Sequence, residues 1–426
     1  MKKYMMLIAA AVLILGSCAK IETGDRPGTN KKAPAIGFSS YTPTSLTRAD
    51  GTFISGTSLV SSKQFAVYAW QTDYGTFLPV NPGAPGFMNP AVVTWNNDGN
   101  TGSGNGYTPT RYWPSGDEPA NLSFTAYYPY GGTGITPPTF GSGTDPFVPS
   151  GVGTYAFTAQ GASKDMVDFC VADVVNDQVY GATNKYASTN SNDHKGTVNF
   201  SFHHMLTKVQ FKFKKSGGLE NTTVVELVDA ELAGIKNSGT LTATFAQHKE
   251  DHDNDSTTPD EVVTGVNKLG TTSTAWSGVT GGASYEITLN QADPEDGDEI
   301  VLTDSPSTVH DKDIFLMVPQ DMVASTQALV VTWRVKIYDD ADNAAANNDV
   351  GVISETLNTK TLYFYSDLVM GTYDHDNDPE TPQIPYPKDW IKNNAVTYTV
   401  TIGPSPIYFT GTATNWSGEQ NGYFNP

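Results

Sequence analysis

A chain of 426 residues is long enough for two or three domains, each able to bury its own core. Its 25 Lys+Arg stand against 45 Asp+Glu, and the formal charge of −20 excludes the basic, phosphate-neutralising face that nucleic acid requires. With 40 Gly and 26 Pro the chain is turn-rich rather than collagen-like, and 11% aromatic residues suit a packed β protein.

In chain order, Lys2 and Lys3 precede an apolar run from Met5 to Leu15, which predicts a secretory signal over residues 1–17. Leu15-Gly16-Ser17-Cys18 resembles a bacterial lipobox, implying cleavage before Cys18 and acylation of its thiol. Residues 18–48 then hold a polar tether, Ala19–Pro34, and a short strand, Ile36–Tyr41. They end at Arg48, in the polar stretch Thr47-Arg48-Ala49-Asp50.

Strands are predicted next at Phe65–Trp70, Ala91–Trp95 and Leu122–Tyr128, separated by loops dense in Gly, Pro and Asn. Within Val198–Phe213, Val198, Phe200 and Phe202 alternate, and after a short turn Val209, Phe211 and Phe213 alternate again. Further strands follow at Val224–Leu232, Leu241–Phe245, Tyr285–Leu289, Ile314–Val318, Leu329–Tyr338, Lys360–Phe364, Val396–Ile402 and Ile407–Thr414. Almost no segment sustains a helical period. The expected fold is all-β, two antiparallel β-sandwich domains in tandem of transthyretin-like or Ig-like type, over residues 49–195 and 196–426.

Catalytic signals are missing from this pattern. No G-x-S-x-G elbow, Walker loop, H-E-x-x-H or C-x-x-C is present, so no enzyme, catalytic residue or cofactor is expected. Cys170 is the only thiol besides Cys18, which leaves no internal disulfide, and its apolar context predicts a buried structural side chain. His203 and His204 are adjacent on a strand and point to opposite faces, so they do not share a metal. The sequence Asp-His-Asp-Asn-Asp occurs at 251–255 and again at 374–378. Its alternating carboxylates resemble the start of a calcium loop. The sixth position is Ser256 or Pro379 instead of Gly, and the twelfth is Val262 or Pro385 instead of Glu. Solvated loops without metal are expected there.

Several motifs in order carry a family resemblance: the lipobox at Cys18, the strand followed by TRA (Ile36–Ala49), and Tyr112-Trp113-Pro114 leading into LSFTAYYP (Leu122–Pro129). Asp165–Phe169, FSFHHMLTKVQF (Phe200–Phe211), IFLMVPQ (Ile314–Gln320) and the terminal Val396–Trp416 complete the set. Together they resemble the Bacteroidetes fimbrillin family in its Mfa-like branch. The resemblance implies a two-sandwich pilus subunit, exported as a lipoprotein to the outer membrane and then built into a cell-surface fimbrium that supports adhesion. It implies cleavage by an arginine-specific surface protease, mapped here to Arg48 and Ala49. Cleavage would release a strand plugged by Ile36 and Phe38. The opened groove would take a neighbouring subunit's carboxy-terminal strand by β-strand addition. The donor positions map to Ile407, Phe409, Gly411 and Ala413, although the chain runs on past Trp416 with SGEQNGYFNP. A host or bacterial surface ligand is a further implied partner. The residues alone leave one alternative, a non-polymerising surface lipoprotein that binds glycan or host ligand through aromatic loops such as Tyr112-Trp113.

Overall fold

The computed structural model describes residues 35–41, 63–73, 83–95, 106–115, 120–140, 153–178, 196–245, 269–270, 272–287, 289, 299–308, 314–322, 326–347, 350–364, 368–373, 384–386, 389–403 and 408–415. Its strands are β1 (Gly37–Tyr41), β2 (Gln64–Thr72), β3 (Met88–Thr94), β4 (Asn121–Tyr128), β5 (Gly153–Thr158), β6 (Cys170–Ala172), β7 (Val174–Gln178) and β8 (Thr197–His204). Next come β9 (Thr207–Lys215), β10 (Thr223–Ile235), β11 (Ser238–Phe245), β12 (Leu269–Gly270), β13 (Thr272–Thr280), β14 (Ala283–Glu286) and β15 (Ile300–Val301). β16 (Ile314–Met317), β17 (Gln320–Asp321) and β18 (Ala328–Tyr338) lead to a short helix α1 (Ala341–Ala346). β19 (Val352–Tyr363), β20 (Leu368–Tyr373), β21 (Ile384–Tyr386), β22 (Asp389–Trp390), β23 (Asn394–Ile402) and β24 (Tyr408–Asn415) close the chain. The fold is all-β, as the alternation predicts.

The first sheet runs β1-β8-β6-β4-β2-β3, with β7 beside β4 and β12 on β7. Its central strands are buried over most of their length because both faces are covered, and the buried Asn121, Ser123 and Thr125 of β4 interrupt its apolar run. β4 is buried from Asn121 to Tyr128. On β2, Phe65, Val67 and Ala69 join one core with Ile36, Phe38, Phe124 and Phe200. Ala66, Tyr68 and Trp70 turn the other way, into a second core with Tyr127, Tyr155 and Phe157. The remaining sheets are β13-β11-β5, β14-β10-β18-β19 with β15 on β10, β16-β9-β23-β24-β20-β21, and the pair β17-β22.

The pairing departs from the expected tandem antiparallel scheme in two respects. Three pairs are parallel: β1 with β8, β9 with β23, and β20 with β24. Alternation assigns a side chain to a face but carries no information on strand direction, and no hairpin joins these partners to dictate it. The other difference lies at residue 196, where the sequence division begins the second sandwich. β8 instead hydrogen-bonds to β6 and β1 in the first sheet, while β9 lies between β16 and β23. Met205 and Leu206, both buried, send the two strands apart: Met205 N–H donates to Phe169 O at 2.9 Å and Asn393 N–H to Leu206 O at 3.0 Å. The segment that looks like one hairpin is two strands of different sheets.

Polar strands escaped the sequence reading. β13 (TSTAWSGVT) and the first half of β19 have no continuous buried face, so their apolar alternation is weak. α1 forms because Asp340 caps it, its carboxylate accepting from Asn343 N–H at 2.7 Å, and it ends at Asn347 in the left-handed region.

Candidate functional site

The first described strand is seated along β8, with a second backbone segment across its amino-terminal end. Successive N–H groups of an extended chain point to opposite edges. Ile36 N–H accordingly reaches Arg111 O at 2.9 Å, while Gly37 N–H reaches Gly196 O on the other side, also at 2.9 Å. From there β1 runs parallel to β8, Gly37 opposite Thr197 through Tyr41 opposite Ser201. One residue earlier, Ala35 bridges Tyr112 in the antiparallel sense. β8 is therefore one rail along residues 37–41, and the 111–112 segment is a second rail that meets residues 35 and 36.

The side chains hold it as firmly. Ile36 is 2% exposed and Phe38 fully buried. The Phe38 ring is stacked on Phe200 at 5.9 Å and meets Tyr107 at 5.3 Å, Phe124 at 6.3 Å and Phe65 at 6.4 Å. Tyr107 hydroxyl donates to Ile36 O at 3.1 Å and accepts from Arg111 N–H at 3.1 Å, tying strand and rail together. Burial is the main reason its phenol pKa is raised. Trp113 Nε1–H donates to Gly196 O at 2.9 Å and the ring packs edge-on against Phe124 at 5.9 Å, so the two rails are braced to each other. Of the Tyr112-Trp113 pair, Trp113 is core and Tyr112 is exposed. Tyr107 was not singled out in the sequence, and Tyr112-Trp113 was marked as a motif and an aromatic loop rather than as a rail, because the contacts with Ile36 and Gly196 span most of the first sheet in sequence.

The candidate donor positions sit elsewhere. β24 carries Phe409, Gly411 and Ala413, and Ile407 lies outside the described residues. The strand is antiparallel to β23 along its length, Asn394 opposite Asn415 to Thr401 opposite Tyr408. On its other edge β20 runs parallel, with Leu368 opposite Phe409 and Met370 opposite Gly411. Both edges of β24 near Phe409–Gly411 are thus satisfied within this chain. Cys18, Arg48, Ala49 and the two acidic repeats at 251–255 and 374–378 lie outside the described residues.

A buried polar group lies at the β6–β8 pair of the first sheet. His204 Nδ1 and Asp168 Oδ1 are 2.8 Å apart, and Cys170 Sγ is 3.5 Å from each. The neighbouring His203 points to the opposite face, with Nε2 2.7 Å from Asp173 Oδ2, as strand geometry requires. Asp168, Cys170 and His204 present their ligand atoms within 4.8 Å of one another, the one such group among the described residues. Burial, and then the charge of Asp168, push the Cys170 thiol well above its ordinary pKa. That opposes the thiolate a metal would need. The arrangement is a hydrogen-bonded core group.

The comparisons agree with this architecture. The model of the family described as "Fimbrillin-like" matches residues 47–416. Fimbrium subunit Fim1C of Phocaeicola vulgatus is 29% identical over 238 residues, covering 53% of this chain and 55% of that protein. The chain thus spans about half the length of the curated relative it matches. A crystal structure of a fimbrial protein from Bacteroides vulgatus superposes with a TM-score of 0.51 at 19% identity, over 90% of this chain and 99% of that one, a likeness of fold. A β-rich chain whose family match runs from just before Arg48 through its last described strand belongs to the fimbrillin-like family.

Proposed function

We propose that this chain is a structural subunit of a cell-surface pilus that polymerises by exchanging β1 for a strand of a neighbouring subunit. The supporting observation is the seating of residues 35–41 along β8, with the 111–112 segment closing over residues 35 and 36 and with Ile36 and Phe38 as buried plugs. Withdrawing the segment unpairs both rails and empties the Phe38 site. Exposing two such side chains costs about 3–6 kcal/mol on hydrophobic grounds alone. A cleft edged by unsatisfied N–H and C=O groups is a template for any strand of matching alternation, and refilling it recovers that energy. Head-to-tail filling leaves a free donor and a free cleft at the ends of the assembly, so it extends into a filament.

In this reading the precursor is exported as a lipoprotein acylated at Cys18 and held at the outer membrane. An arginine-specific surface protease cuts between Arg48 and Ala49. The carboxy-terminal segment with Ile407, Phe409, Gly411 and Ala413 is the donor. Since β24 is paired to β23 and β20, donation requires that it first leave its own sheet, and the form described here is the closed one. Adhesion to a host or bacterial surface ligand is the activity the assembled fimbrium would serve.

The decisive experiment is amino-terminal sequencing of surface-recovered protein, wild type beside Arg48→Ala. A mature start at Ala49, lost together with SDS-resistant multimers in the variant, supports the proposal. A start at acylated Cys18 in fully functional surface protein overturns it in favour of a tethered, non-polymerising binder.

A further inference from the structure

On the sheet formed by β10, β18 and β19, the face turned away from the large core carries a polar group that the strand cleft does not use. Glu226 of β10 is 2% exposed and Lys336 of β18 is 7% exposed. The same carboxylate oxygen, Glu226 Oε1, accepts from Lys336 Nζ at 3.2 Å and from Asn347 Nδ2 at 2.9 Å. Tyr338, two residues along β18 and on the same face, donates its hydroxyl to Asn347 Oδ1 at 3.1 Å. A carboxylate can only accept, so the Asn347 amide nitrogen faces Glu226 and its oxygen faces Tyr338. Val224, Tyr338 and Ala344 form a small apolar cluster beside the group, with Val352 packed on it. Asn347 itself is fixed in the left-handed region at φ 43°, ψ 49°.

This is an amine, a proton carrier, an amide and a donor aimed at the amide oxygen. We propose that Lys336 and Asn347 become joined by an intramolecular isopeptide bond, with Glu226 shuttling protons and Tyr338 stabilising the amide oxygen. The Glu226 carboxylate first takes a proton from the Lys336 ammonium, freeing the Nζ lone pair. Nζ attacks Asn347 Cγ, and the carbonyl π electrons move onto Oδ1, where the Tyr338 hydroxyl meets the developing charge. Glu226 hands its proton to Nδ2. The Cγ–Nδ2 bond then breaks with its electron pair on nitrogen, and the C=O bond reforms. The surplus proton on Nζ returns to Glu226 and passes to the departing ammonia. The net change is one new Nζ–Cγ bond and one ammonium ion lost, with nothing oxidised or reduced and no co-reactant. Contact of both nitrogens with one oxygen supplies the proximity that lets amide exchange occur unaided, and the burial of Glu226 and Lys336 limits water on their side of the half-buried Asn347 amide. Arg334, with Nη1 3.6 Å from Glu226 Oε2, is itself paired to Glu299 and Glu355, so the carboxylate's second oxygen keeps a cation nearby while the first does the shuttling. The bond ties β18 covalently to the turn that precedes β19, in a chain whose thiol at Cys170 is free.

Peptide mass spectrometry of the purified full chain tests this. Trypsin ordinarily cuts after Arg334, Lys336 and Lys360. The expected result is a single peptide over residues 335–360, uncut at Lys336 and lighter than its sequence by one ammonia. Asn347→Asp would lose water instead and reach the same product mass, whereas Lys336→Arg and Glu226→Gln would keep the full mass. Full mass with a free cut after Lys336 in the wild type overturns the proposal. So does an ammonia loss that persists in Lys336→Arg, because an asparagine succinimide needs no lysine. Should Glu226→Gln fail to fold, the wild type and Lys336→Arg decide between these outcomes.

Discussion

At the level of single residues, Phe38 is the one on which the cleft is built. Four aromatic rings within 6.4 Å surround it, and all four belong to strands or segments that are distant in sequence. Truncation leaves a cavity that Phe65, Phe124, Phe200 and Tyr107 cannot close without breaking their own contacts. Phe38→Ala in the uncut chain is therefore expected to lower unfolding free energy by about 3–5 kcal/mol, read as a shift of the urea midpoint at unchanged slope. An unchanged midpoint would mean that the strand contributes nothing to the precursor. The short strand over Ile36–Tyr41 was legible as an apolar-containing run isolated in a polar stretch, whereas the part of Ile36 and Phe38 as plugs came from the family resemblance. Tyr107 was not legible, since a tyrosine in a Gly-rich loop gives no sign that its hydroxyl will reach Ile36 O. Arg48 was legible as a basic residue in a polar stretch, and its role rests on experiment.

The elements show a similar division. Strands with a clean buried face, such as β8 with Val198, Phe200 and Phe202, were placed by alternation alone. Their partners were not, because pairing β1 to β8 in parallel depends on where a distant chain segment comes to rest. The rails that hold residues 35–41 make an element-scale prediction. A chain beginning after Tyr41 should bind a synthetic peptide spanning Ala35–Tyr41, and the bound complex should regain the urea midpoint of the uncut chain. The same peptide with Asp in place of Phe38 should fail, since an unpaired carboxylate in that aromatic pocket costs several kcal/mol. Binding of both peptides alike would show that backbone pairing suffices and that the pocket carries no specificity. Binding of neither would show that β1 is not replaceable.

At the scale of the whole molecule, one apolar interior draws on strands from both sides of residue 196. One core cluster takes in Tyr68, Tyr127 and Tyr155 from the first part of the chain and Tyr285 and Tyr398 from the second, and β5 pairs with β11 across that point. Burial lifts the phenols of all five above their ordinary value of 10.0, Tyr127 and Tyr285 to about 12 and the other three higher still. An unfolded chain would release these protons near 10, whereas the folded chain holds them to about 12 or beyond. Raised folded pKa values therefore contribute stability that is fully present below pH 10 and is lost as pH climbs toward the folded values. Because the tyrosines sit on four sheets in one cluster, the loss should be felt everywhere at once. The urea midpoint should be flat up to about pH 9 and fall steeply by about pH 11, with tyrosinate absorbance and far-ultraviolet dichroism moving together in one transition. Two separated transitions would argue for independently folded halves. A flat midpoint through that range would mean the phenols are less sheltered than their burial implies.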